Sequence, residues 1–174
     1  MTNSGRTASR GALALVPRVH EVQGPTIWFC GHCGARPSAA GPPALDARVC
    51  ESCGLGLLLE TTADAAPDAG GAFLVLDGSL SVCAVSRGAE ELLATNETDA
   101  VNHHVIELLV PADSEARSGT KLAAAVSAAA LGADEARTVF VRPVNLFGVR
   151  LRARIVHCGP PQAALLAFEL PGLR

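Results

Sequence analysis

The stretch FLVLDGSLSVCAVSRGAEELL, residues 73–93, changes its rhythm twice. Four apolar residues, Phe73 to Leu76, stop at the turn pair Asp77-Gly78. Past the turn, Leu80, Val82 and Ala84 alternate with other residues, which is the period of a strand with one buried face. Two strand-like runs around Asp-Gly predict a hairpin. At Ser86 the period lengthens. A serine there supplies an oxygen for a first-turn N–H, and Ala89, Leu92 and Leu93 then fall at helical spacing.

Downstream, VIELLVP (residues 105–111) reads as a second short helical turn, with Val105, Leu108 and Leu109 on one side and Pro111 as its stop. Asp113 is placed to cap a longer helix reaching Leu131, whose buried stripe is Leu122, Val126 and Ala129 or Ala130. Gly119 inside it costs about 1 kcal/mol relative to alanine, which favours a start as late as Thr120. Gly132 suits the C-terminal stop. Three strand-like runs follow: TVFVRP (138–143), GVRLRARIVHC (148–158) and AALLAFEL (163–170). In the middle run Val149, Leu151, Ala153 and Ile155 alternate with Arg150, Arg152 and Arg154. The apolar face must look toward the helices, because burying unpaired arginine is costly. Arg150, Arg152 and Arg154 thus form a candidate interaction surface, with Glu51 and Glu60 as candidate mates; a merely solvated cationic face is the simpler reading.

The order strand, strand, short helices, longer helix, three strands resembles that of the PAS family. The residues that carry the resemblance are the apolar strand ending in Asp77, the capped Ala-Glu-x-Leu-Leu helix, and the V-x-x-x-V-x-E-L-L-x-P-x-D segment from Val101 to Asp113. It spans residues 72–170 and implies an α+β fold: a five-stranded antiparallel sheet with helices on one face. Such domains sense small ligands, bind cofactors or mediate association, and the fold alone does not say which. Flavin-binding light sensors of the family carry an Asn-Cys-Arg motif on the helical side; here Cys83 falls in the second strand instead. Haem-binding members usually place a histidine on the long helix, and residues 113–131 contain none. His103 and His104 read as surface or helix-entry residues, His157 as a core-edge residue, and Cys83 and Cys158 as small buried or edge residues. No coloured cofactor is expected, and cofactor-binding residues stay unassigned.

The other concentrated signal is CGHCGARPSAAGPPALDARVCESCG, residues 30–54. Two Cys-x-x-Cys pairs separated by 16 residues predict a four-thiolate metal site of Cys30, Cys33, Cys50 and Cys53. Gly31, Gly34 and Gly54 relieve the tight turns. The segment resembles a zinc ribbon: WFCGHCG, a variable arm, VCESCG, then the apolar strand LGLLLE. The resemblance implies one structural zinc. Iron in a rubredoxin-like site, a redox dithiol and unlinked thiols are the alternatives. His32, inside the first turn, is expected to be solvated.

These readings divide the chain into a flexible tail (1–22), a zinc ribbon (23–62), a linker (63–71) and a PAS-like sensor domain (72–171). The chain has 174 residues, is 49% hydrophobic and has a formal net charge of −3, so it has ample core material and no general attraction to nucleic acid or anionic membrane. No apolar run approaches the ~18 residues of a membrane span, and no signal-peptide pattern is present, so the expected compartment is the cytoplasm. No phosphate loop, nucleophile elbow or open metal site appears, so no enzyme activity is expected. The last expected strand lies at the end of the sequence, and no further output domain is expected. The sum is a regulatory or adaptor protein of bacterial-type signalling or transcriptional regulation, with a protein partner or homodimer and a small-molecule ligand as candidate partners. A nucleic-acid-associated ribbon factor is the second reading, weakened because Arg36 and Arg48 are the ribbon's only basic residues. An iron electron carrier is the third.

Overall fold

The computed structural model describes residues 24–38, 41–44, 46–112 and 117–170, with side chains omitted for 117–120. The tail 1–22 and the Asp113 cap lie outside the described residues. The described residues form two sheets. A ribbon pairs β1 (Thr26–Cys30) with β2 (Leu58–Thr62), antiparallel. The larger sheet holds β3 (Phe73–Leu76), β4 (Val82–Val85), β5 (Leu109–Pro111), β6 (Arg137–Pro143), β7 (Leu151–Cys158) and β8 (Ala163–Glu169), in the spatial order β4-β3-β8-β7-β6-β5. Every pairing is antiparallel. The helices are α1 (Arg87–Leu93), α2 (Glu97–Ala100), a 3-10 turn (Val105–Glu107) and α3 (Arg117–Ala130). This is the PAS-like α+β architecture that the resemblance implies, with one strand more than the expected five.

The extra strand is the C-terminal half of VIELLVP. Val105–Glu107 is helical, but Leu109–Pro111 pairs with β6, Val110 opposite Arg142. A ladder partner overrode a local helical pattern. α3 begins at Arg117 and runs through Gly119, earlier than the expected Thr120. The hairpin forms as read: Asp77 Oδ1 accepts from Ser79 N and Ser81 N, closing the loop. A bulge between Val75 and Leu76 breaks the strict alternation and leaves Cys83 exposed on β4, whereas Cys158 is buried. Ser86 caps α1 by accepting from Ala89 N at 3.1 Å, and its hydroxyl donates to Gly71 O at 2.9 Å.

The sheet has two buried faces. The inner one presents Leu74, Leu76, Leu151, Ala153, Ile155 and Leu166 to Leu122, Val126 and Ala129 of α3. His157 shares that side, its Nδ1 2.9 Å from Ala129 O. The outer face presents Phe73, Val75, Val156, Cys158 and Leu165, and these are covered by Phe29, Leu59 and Ala65. Among the described residues no helix is long and apolar enough to cross a membrane.

Candidate metal centre and its seat on the sheet

Each Cys-x-x-Cys pair sits on a tight knuckle. Gly34 N donates to Cys30 O (3.0 Å) and Gly54 N to Cys50 O (2.8 Å); Cys30 N then reaches Ala35 O and Cys50 N reaches Gly56 O. The two knuckles are near copies, as the like sequences imply. Gly34 has φ +72°, and a Cβ there would lie 2.5 Å from Asp68 O, so the first knuckle could not carry a side chain at its exit.

The four sulfurs of Cys30, Cys33, Cys50 and Cys53 all lie within 4.8 Å of one another. Cys30 Sγ is 3.6 Å from Cys53 Sγ, and Cys33 Sγ is 3.8 Å from Cys50 Sγ. Zn–S bonds of about 2.3 Å in a tetrahedron place sulfurs about 3.8 Å apart, so the cage has the right size for such a metal ion. Cys30 and Cys50 are buried; Cys33 and Cys53 are half-buried. Burial pushes the Cys30 and Cys33 thiols up from the ordinary range. At Cys53 burial acts in the same direction, but the N–H groups of Gly56 and Leu55, with the Cys30 and Cys33 side chains, bring it down to about 6. A thiolate set crowded this closely needs a cation to hold it. The site therefore suits a metal ion, and thiolate ligands suit a soft one.

The centre does not hang free of the larger sheet. Phe29 meets Phe73 edge-to-face, with centroids 5.8 Å apart at 79°. Glu60 and Gly159 exchange backbone hydrogen bonds, and Thr61 Oγ1 donates to His157 O at 2.8 Å. The first knuckle touches α1 and the joining segment too: Arg87 N donates to His32 O (2.9 Å), and Gly70 N to Cys33 O (2.9 Å). His32 is not solvated as expected. Its side chain is 13% exposed, Nδ1 lies 3.6 Å from Glu97 Oε2, and that nitrogen has no hydrogen-bond partner. The knuckle faces α2 rather than water, and the histidine is caught between them. Arg48 lies over Trp28 and donates to Pro160 O at 2.8 Å, so one of the ribbon's two basic residues is used within the chain.

The arginine stripe divides. Arg152 pairs with Glu169 across the β7–β8 ladder at 2.9 Å. Arg154 binds Asp64 through both its carboxylate and its carbonyl, so its mate is a residue of the 63–71 segment rather than Glu51 or Glu60. That contact holds the Asp64 carboxyl below the usual carboxylate range. Arg150 lies over the Phe140 ring, 4.0 Å from the centroid. Glu60 instead accepts from the Thr26 hydroxyl within the ribbon. His104 caps the 3-10 turn, accepting from Ile106 N, and His103 Nδ1 meets Glu107 at 2.9 Å, so both serve the entry to that turn.

Sequence reasoning brought the four cysteines together but missed the contact surface between ribbon and sheet. A signal for it existed. FLVL and AALLAF are apolar without alternation, the pattern of strands buried on both faces.

No protein-family model matches the sequence, and no curated protein does. Solved structures similar to the chain include the PAS domain of nitrogen regulation protein NR(II) from Vibrio parahaemolyticus, 17% identical, covering 57% of this chain and 88% of that one with a TM-score of 0.42. Another is the PAS domain of an HTR-like protein from Haloarcula marismortui, 14% identical, covering 57% of this chain and 79% of that one with a TM-score of 0.43.

Proposed function

We propose that the chain is a non-catalytic regulatory or adaptor protein of bacterial-type signalling or transcriptional control, acting in the cytoplasm. In this reading Cys30, Cys33, Cys50 and Cys53 hold one structural zinc, and the PAS-like domain senses a ligand or binds a partner protein or second copy. The observation that carries it is the joint core of ribbon and sheet. Phe29 and Leu59 pack with Phe73, Val75, Val156 and Leu165, which gives a route by which a change at the sensor would reach the ribbon. Four thiolates leave no coordination position for water or substrate, which favours a structural over a catalytic metal. Arg150 and Arg152 form the part of the outer face assigned to a partner, while Arg154 ties down the segment that joins ribbon to sensor.

Elemental analysis of untagged protein tests the metal, with about one zinc per chain expected. Stoichiometric iron instead would move the reading to an electron carrier. Arg150→Glu with Arg152→Glu should leave the circular dichroism unchanged, because surface charge changes seldom cost much stability. The double variant should alter the mass by light scattering or the set of captured partners. If neither changes, the partner surface is not there.

A further inference from the structure

Docking of the ribbon creates a cavity that neither part has alone. It lies where the edge of β2 meets the end of β7, and measures about 200 Å³. Four separate pieces of chain wall it: Thr26 from β1, Glu60 and Thr61 from β2, Val156 and His157 from β7, and Asp134 from the loop after α3. Drug-sized ligands take roughly 300–1,000 Å³, so this one suits something smaller.

Its charged groups are of one sign, and Thr26, Thr62 and Gln162 add neutral polar groups. Glu60 and Asp134 bring carboxylates, and among the described residues lining it none is lysine or arginine. His157 Nδ1 sits 2.9 Å from the Ala129 carbonyl, which only accepts, so Nδ1 carries the proton of that bond. In the neutral ring this leaves Nε2 with a lone pair, a further acceptor. Thr61 has already spent its proton on the His157 carbonyl, which leaves the hydroxyl oxygen free to accept. Arg48, which reaches the Pro160 carbonyl from the ribbon, does not line the cavity. Val156 and Pro160 supply an apolar wall. A site whose charged side chains are carboxylates, beside an apolar wall, recognises a donor with positive charge.

We propose that this cavity binds a small organic cation, an ammonium group on a compact apolar body. The ammonium sits between Glu60, Asp134 and His157, and the body lies against Val156. Since the walls come from both ribbon and sheet, such a ligand favours the docked arrangement by mass action. The proposal deepens the sensing half of the proposed function and rests on that reading for its purpose. Binding itself is measured independently of metal identity or partner.

The test uses the full, metal-loaded, 15N-labelled chain. It is titrated with benzylammonium, and in parallel with benzoate and benzyl alcohol as matched anionic and neutral probes. Saturable shifts of the Thr61, His157 and Gln162 backbone amides are expected with benzylammonium alone. Asp134→Asn should weaken the Kd about tenfold, the loss expected for one charge-assisted hydrogen bond. Asp134 is exposed and in a loop outside the helices and strands, so this variant keeps the fold. Glu60→Gln should weaken it similarly. The inference fails if the folded, loaded protein gives no saturable shift, if benzoate or benzyl alcohol shifts the same amides equally, or if Asp134→Asn leaves the Kd unchanged. Any of these results leaves the regulatory reading standing, because metal content and partner capture decide that one.

Discussion

Leu165 and Leu166 are neighbours on β8, and each is 0% exposed. Leu166 points to the inner face, among Leu74, Ile155, Leu122 and Val126, all supplied by the PAS-like domain. Leu165 points to the outer face, where Phe29 and Leu59 come from the ribbon. The ribbon's own interior is small: Cys30, Cys50 and Leu58 are its buried members around the centre. Two of these three are thiols, so the apolar area that holds the ribbon together is slight. One face of the sheet is thus covered by helices that belong to its own domain. The other is covered by a piece with little core of its own, built around four thiols that could hold a metal ion. Two adjacent leucines with the same exposure are stabilised by different causes, and burial alone does not tell them apart.

The largest expected effect comes from the metal. Structural zinc supplies about 10–16 kcal/mol to ribbon-sized peptides at neutral pH, so Cys50→Ser should abolish binding and unfold residues 24–62. Proteolysis should then begin in the ribbon, and an apolar dye should bind the uncovered Val75, Val156 and Leu165. Hydrogen exchange at Ile155 and Leu166 should stay slow. If the whole chain unfolds instead, the two faces are not separable.

Next come the leucines themselves. Leu166→Ala should cost about 2–5 kcal/mol by denaturant unfolding, with or without metal. Leu165→Ala should cost a comparable amount in loaded protein and clearly less after chelation, when its cover is gone. Equal losses in both states would mean that the ribbon stays docked without metal. Ser86→Ala is smaller, about 1–2 kcal/mol, since it removes the cap of α1 and also the buried bond to Gly71 O.

The smallest effect is the tether between Arg154 and Asp64. The carboxyl is held below its ordinary value by the arginine hydrogen bonds, so the folded state binds that proton less tightly than the unfolded chain. Its contribution is then present above about pH 4 and fades as pH falls through the lowered folded value. Asp64 is 70% exposed, so the effect is slight. Asp64→Asn should flatten the stability profile just below about pH 4 and leave neutral pH nearly unchanged. A profile parallel to wild type would mean that the pair contributes nothing.

How much was legible follows from the range of each interaction. The cysteine pairs were readable because a metal cage is set by ligand type and short spacing, and each knuckle closes within a few residues, as Gly34 N to Cys30 O shows. The Ser86 cap and the Asp77 turn were readable for the same reason. Period two in the 148–158 run placed Leu151, Ala153 and Ile155 inward and Arg152 and Arg154 outward, as the structure has them, but Val149, also read as inward, is exposed, and it and Arg150 lie before β7. Leu109 was misread because its helical spacing is local while the β6 ladder that claims it lies some 30 residues on, Leu109 opposite Pro143. His32 was misread because nothing nearby in sequence announces Glu97.

By itself, then, the sequence determined the thiol cage, the element order and the inward face of the regular strands. Each of these depends on spacing along the chain. Only the tertiary structure decided that the ribbon lies on the outer face, that Asp64 rather than Glu51 or Glu60 meets Arg154, and that Glu60, Asp134 and His157 wall one cavity. Those are contacts between segments distant in the sequence, selected by which surfaces fit when both are present, and apolar attraction carries no direction that a linear pattern could record.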